Sequence, residues 1–186
     1  MTGSLEVICG PMYAGKSEEL IRRLRRVEIA GQKSVVFKPI IDNRYSATEI
    51  ASHNGTKREA YAVRDSYSIW EVLVDSDFDV IAIDEIQFFD DDITGLVYAL
   101  LKSGKRVIVS GLDMDFRQDP FSVMPDLLAI AKEVLKLTAV CQVCGQDAMY
   151  TQRLLNGEPA PFDGETVIVG AQEQYEARCG DCYKEG

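Results

Sequence analysis

Apolar residues along this chain fall into two patterns. Short, strongly apolar runs occur at residues 5–9 (LEVIC), 35–37 (VVF), 80–84 (VIAID) and 106–110 (RVIVS), each the length of a strand buried on both faces. Between them, apolar residues recur at helical spacing: Leu20, Leu24 and Val27 within 17–30, and Leu96, Leu100 and Leu101 within 93–102, with another helix around 68–74. On the opposite face of the first helix, Glu18/Arg22 and Glu19/Arg23 stand at i,i+4 in the favourable order, and Gly31 follows as a C-cap. A further helix is expected at 125–132, and 134–138 (VLKLT) reads as the last core strand. Doubly apolar strands joined by helices predict an α/β fold around a parallel sheet. Residues 42–58 are polar and aperiodic and predict a mobile loop. Beyond Thr138 the character changes to cysteine pairs, short β-like pieces at 149–155 and 166–169, and the Gly/Pro-rich stretch NGEPAPFDGE. Two domains are therefore expected, 1–138 and 139–186.

Composition narrows the function. A chain of 186 residues, 46% of them hydrophobic, builds a core without disulfides. Its formal charge of -10 opposes an extended phosphate backbone, so a nucleic-acid interface is not expected. No apolar run approaches the roughly 20 residues of a membrane span, and the N-terminus lacks the pattern of a secretion signal. The cytosol is the expected compartment. His53 is the single histidine, which excludes mechanisms needing two imidazoles.

Residues 10–17 (Gly10, Pro11, Met12, Tyr13, Ala14, Gly15, Lys16 and Ser17) match G-x-x-x-x-G-K-[ST] between an expected strand and an expected helix. Glycines let backbone N–H groups turn around an anionic phosphate, and the helix directs its positive end there. Lys16 can bridge β- and γ-phosphates, and the Ser17 hydroxyl can ligate Mg²⁺. Asp84 ends the VIAID strand, where its carboxylate can stand near the metal; Glu85 follows, where a base can meet the γ-phosphate. A plain Gly-rich turn with two solvated acids is the bland alternative.

Four of the five cysteines form two C-x-x-C pairs, Cys141/Cys144 and Cys179/Cys182, with 34 residues between the pairs. Two such knuckles close a tetrahedron around Zn²⁺ with no open position, so the metal would be structural. Redox-active pairs are the alternative. Cys9, in an apolar strand, reads as inert packing. The segment between the pairs has no core of its own and needs the metal as a staple.

Chemistry alone leaves open a kinase for a small acceptor and a RecA-like ATPase working with nucleic acid. The segments GPMYAGKS, KPIIDNRY, AIDEIQFF, GLDMDF, LTAVCQVC, YTQRL and VGAQEQYEARCGDC, in this order and spacing, resemble the thymidine kinase family of the cellular and bacterial type. The likeness covers nearly the whole chain. It implies a RecA-like P-loop domain with a parallel sheet, plus a small C-terminal zinc-binding domain with a substrate-covering loop. It also implies transfer of the ATP γ-phosphoryl to the 5′-hydroxyl of deoxythymidine, or deoxyuridine, with Glu85 as general base. Asp42, Asn43, Arg44, Asp84 and Gln87 would join residues 10–17 in binding ATP and Mg²⁺, and Arg44 could stabilise the transferring charge. The base would be held by the main chain of Thr166, Val167, Ile168, Val169 and Gly170. Tyr175 would close over the nucleoside, Phe116 would pack on the base, and Met12, Leu112 and Thr151 would surround the ring and its methyl. Ala171 departs from the glycine common at that place, where a positive φ would strain it. His53 receives no role. A homotetramer, feedback inhibition by deoxythymidine triphosphate, and no nucleic-acid or membrane partner complete what the resemblance implies. If only the substrate loop depends on the staple, losing the metal should weaken nucleoside binding far more than ATP binding.

Overall fold

The computed structural model describes residues 3–40, 49–51, 57–163 and 173–186. Its first elements are β1 (Ser4–Cys9), α1 (Lys16–Ile29), β2 (Ser34–Pro39), β3 (Glu49–Ala51), β4 (Lys57–Glu59), β5 (Tyr61–Val63) and α2 (Ser66–Leu73). There follow β6 (Val80–Ile83), a 3-10 turn at Ile86–Phe88, α3 (Asp92–Lys102), β7 (Arg106–Gly111), α4 (Met124–Ile130) and β8 (Glu133–Lys136). Six of these strands form one parallel sheet in the order β5-β2-β6-β7-β1-β8. The α/β class expected from the doubly apolar runs is what the chain adopts.

Alternation along each strand assigns its side chains to two faces. Ile8, Val36, Ala82 and Ile108 pack against Leu20, Ile21, Leu24 and Val27 of α1. Val7, Phe37, Ile83 and Val109 pack into the other layer, with Ile69 of α2, Ile93 and Val97 of α3, and Met124 and Leu127 of α4. The strands read as largely apolar runs because helices cover both sides. Asp65 starts α2 by accepting a hydrogen bond from Ser68 N at 2.8 Å. The order of the sheet places β7 between β1 and β6. The C-terminal end of β7 therefore lies between the loop that follows β1 and the carboxylates that follow β6.

Three expectations need correction. The polar stripe of α1 is not wholly outward: the Glu19/Arg23 pair forms as expected at 2.8 Å, but Arg22 pairs with Glu19 at i,i+3, 2.5 Å, rather than with Glu18, and Arg23 turns inward. The cause is Glu6, buried on the α1 side of β1, which meets Arg23 at 2.5 Å and Arg106 at 2.6 Å. Second, part of the expected loop at 42–58 is strand: β3 (Glu49–Ala51) pairs with β4 (Lys57–Glu59), antiparallel. Arg58 secures this hairpin to α1 and β2 through Glu28, 2.8 Å, and Ser34 Oγ, 2.9 Å. Third, α4 stops at Ile130 and the strand ends at Lys136, because the chain must enter β8 at Glu133 to pair with β1.

Burial works to raise the Glu6 pKa, but hydrogen bonds from Arg106 and Arg23 outweigh it and hold the carboxyl below its usual 4.5. A depressed carboxylate contributes stability above its unfolded pKa and loses it as pH falls through the folded one. Glu6→Gln is expected to destabilise the fold at pH 7 by about 2 kcal/mol, since it removes the carboxylate that two guanidiniums share, while Arg23 keeps Glu19 and Glu133 at 2.8 Å each. In thermal denaturation, the deficit should shrink as the pH is lowered below 4.5. A pH-independent deficit would show that packing rather than charge is responsible.

After Lys136 no described strand joins this sheet. Instead β9 (Ala139–Val140) pairs with β10 (Asp147–Ala148), and β11 (Tyr150–Leu155) pairs with β12 (Glu158–Pro159) and β13 (Glu173–Arg178). The strand expected at 166–169 lies outside the described residues, as do His53 and Ala171. No described helix is long and apolar enough to cross a membrane.

Candidate active site

The loop from Gly10 to Ser17 leaves the C-terminal end of β1 and runs into α1. Gly10 has φ 138° and Gly15 φ 81°, conformations that glycine adopts freely. At Gly10 a Cβ would also strike the Leu137 carbonyl. Tyr13 takes φ 67° without being glycine, and its hydroxyl donates to the Tyr175 carbonyl at 3.0 Å. Lys16 is buried, and its Nζ donates to the Pro11 carbonyl at 2.7 Å. Burial pushes its pKa down against the opposing pull of Glu85, Asp84 and Asp113.

Asp84 closes β6 as a buried carboxylate. Its Oδ2 accepts from Ser17 Oγ at 3.1 Å and its Oδ1 from Ser110 Oγ at 2.5 Å. Burial raises its pKa to about 6, helped by the charge of Glu85 and opposed by the two serines and Lys16. An ionised Asp84 therefore weakens the fold increasingly as pH rises from the ordinary carboxylate range to about 6. A cation at Ser17 and Asp84 would relieve that strain, and the two oxygens are the hard donors that Mg²⁺ takes. Glu85 is half-buried and sits in the left-handed region, φ 50° and ψ 44°, where the strand turns into the 3-10 turn at 86–88. Gln87 Nε2 donates to Glu85 Oε2 at 2.6 Å, and Leu112 N donates to Gln87 Oε1 at 3.1 Å.

Leu112 and Phe116 follow β7 and are buried. The guanidinium carbons of Arg117 and Arg153 lie 4.7 and 4.8 Å from the Phe116 ring centroid, and Phe162 meets that ring edge-on at 6.1 Å. The Tyr183 hydroxyl donates to the Phe116 carbonyl. Thr151, in β11, accepts from Met12 N at 3.0 Å. Of the nucleoside set, Met12, Leu112, Phe116, Thr151 and Tyr175 thus gather around the loop and the end of β7. Thr166, Val167, Ile168, Val169 and Gly170, and Asp42, Asn43 and Arg44 of the nucleotide set, lie outside the described residues.

Two polar residues at the centre were not anticipated. Ser110 follows the apolar Val107, Ile108 and Val109 in β7, and a lone hydroxyl there was the available signal. Asp113 is buried and pairs with Lys136 at 2.7 Å; nothing local in the sequence joins positions that far apart.

The cysteine pairs converge. Cys141 sits where β9 turns towards β10, with Gly145 at φ 76° donating to the Cys141 carbonyl. Cys179 follows β13, and its carbonyl accepts from Cys182 N and Tyr183 N. The four Sγ atoms all lie within 4.8 Å of one another, and no disulfide joins them. Zinc–thiolate bonds of about 2.3 Å set tetrahedral sulfur spacings of about 3.8 Å, so these four donors fit Zn²⁺. Ala139, Cys141, Ala148, Ala177 and Cys179 form a small core there, against which Cys182 and Ala14 of the loop pack. Cys9 is apart from this group, and burial pushes its thiol up to about 11, as suits inert packing.

The family model for thymidine kinase matches residues 3–183 of the 186.

Proposed function

The chain belongs to the thymidine kinase family, whose chemistry is nucleoside phosphorylation, and on that premise we propose that it transfers the γ-phosphoryl of ATP to the 5′-hydroxyl of deoxythymidine, with deoxyuridine also accepted. The observation that carries this reading is the meeting of Lys16, Ser17, Asp84 and Glu85 at the C-terminal end of the central strands, with Ser17 Oγ 3.1 Å from Asp84.

In this reading residues 10–17 wrap the phosphates with backbone N–H groups, and Lys16 exchanges the Pro11 carbonyl for phosphate oxygens. Ser17 and Asp84 hold Mg²⁺, which when bound neutralises phosphate charge. Asp42, Asn43 and Arg44 complete the nucleotide set. Glu85 takes the proton of the 5′-hydroxyl as that oxygen bonds to the γ-phosphorus. The bond from this phosphorus to the bridging oxygen breaks, and ADP leaves with the electron pair. Leu112, Phe116, Thr151 and Met12 surround the base, and residues 166–170 with Tyr175 enclose it. Cys141, Cys144, Cys179 and Cys182 hold a structural Zn²⁺ in a second domain, 139–186, beside the nucleotide domain, 1–138. A cytoplasmic homotetramer inhibited by deoxythymidine triphosphate follows from the family resemblance.

The expected result is ADP formation that requires both deoxythymidine and Mg²⁺, with deoxythymidine 5′-monophosphate appearing in equal amount. A panel of nucleosides with labelled ATP tests it. Hydrolysis stimulated by DNA or RNA instead, with steep salt dependence, would replace this reading with a nucleic-acid-coupled ATPase.

A further inference from the structure

We infer that Gln87 is a positioning residue for Glu85: its side-chain amide fixes the carboxylate and ties it to the main chain of Leu112. The inference deepens the proposed function and rests on Glu85 being the general base. Gln87 is 2% exposed, so its amide is fully desolvated and must be satisfied inside the protein. The Leu112 N–H, 3.1 Å from Oε1, fixes which end of the amide is the acceptor. Nε2 is thereby turned to Glu85 Oε2, 2.6 Å away. Gly111 leaves the space for this arrangement, because a Cβ there would strike Gln87 Oε1. Glu85 itself stands in the left-handed region that L side chains rarely adopt, and the 3-10 turn after it brings Gln87 back onto its carboxylate. One oxygen, Oε2, is held, while the other is left to meet a proton. The same amide also carries the register of the loop after β7, where Leu112 and Phe116 stand, to that carboxylate. The amide oxygen and one amide N–H are engaged within the protein, so Gln87, which the family resemblance groups with the ATP and Mg²⁺ residues, is assigned to act through Glu85.

Steady-state kinetics and equilibrium ATP binding on two variants test this. Gln87→Glu keeps the shape and an oxygen for Leu112 N–H but sets a second carboxyl against Glu85, so that the two share a proton and Glu85 is no longer free to accept one. Gln87→Met keeps the volume and loses both contacts. In each, kcat with deoxythymidine should fall at least about tenfold, a share of the order of 10²- to 10⁴-fold that a general base supplies. ATP affinity should stay close to that of the parent. In a Glu85→Gln background the same changes should barely alter the residual rate, since groups acting as a unit are not additive. Parental kcat in Gln87→Glu overturns the inference, and so does lost ATP affinity with kcat retained. An equal kcat loss in both backgrounds overturns it as well, because Gln87 would then act independently of Glu85. If Gln87→Met fails to fold, Gln87→Glu decides alone. Failure of the base assignment is separately visible, as near-parental turnover in Glu85→Gln.

Discussion

Glu85→Gln should lower kcat for deoxythymidine on the order of 10²- to 10⁴-fold while ATP still binds. The amide is isosteric and remains within hydrogen-bond reach of Gln87, so the backbone at φ 50° has no new reason to move. What disappears, on the proposed mechanism, is the basic oxygen that receives the 5′-hydroxyl proton. A second consequence has a definite sign. The Asp84 pKa stands at about 6, through burial first and the charge of Glu85 next; removing that neighbour lowers it. Asp84 then stays ionised to lower pH, and the acidic limit of Mg²⁺-dependent ATP binding should move down the pH scale. Turnover assays paired with ATP titrations across pH 4.5–7 measure both effects, a window chosen around the value of about 6. Retained turnover would remove Glu85 from the chemistry. An unmoved acidic limit would mean that Asp84 is not the group that sets it.

What could be read along the chain was whatever local pattern encodes. The strands were visible because helices cover both sheet faces and leave no polar alternation. The loop at 10–17 and the cysteine knuckles were visible because their chemistry needs fixed spacings within a few residues. The hidden part is made of contacts between distant positions. Arg23 read as an outward partner of Glu19 because its second partner, Glu6, lies in a different element, and nothing local in LEVIC marks that acid as buried. Ser110 meets Asp84 across neighbouring strands. Gln87 meets Leu112 N across a gap of 25 positions. The hairpin of β3 and β4 escaped detection because its three-residue strands carry no period to read.

Contacts of this hidden kind also change what metal loss should do. A staple acting only on the substrate loop would leave ATP binding intact. Yet Met12 N donates to Thr151 in β11, Tyr13 donates to the Tyr175 carbonyl in β13, and Ala14 packs on the small cysteine-bearing core. Three consecutive residues of the 10–17 loop therefore lean on the unit that a metal at the four cysteines would close. That unit has a core of alanines and cysteines, too little apolar surface to hold β11 and β13 in place without its ion. Chelation, or Cys144→Ser, is expected to weaken deoxythymidine and ATP binding together. Two hydrogen bonds at about 1 kcal/mol each correspond to roughly a 30-fold loss of ATP affinity. The six-stranded sheet has its own two-layer core and should survive, which far-UV circular dichroism checks. Thr151→Val separates the effects: with the metal in place it removes the acceptor of Met12 N alone, and should weaken ATP by a smaller factor in the same direction. If chelation abolishes nucleoside binding while ATP affinity stays at the parental value, the loop stands independently of the metal unit. The contacts at Met12, Tyr13 and Ala14 would then be incidental to its shape.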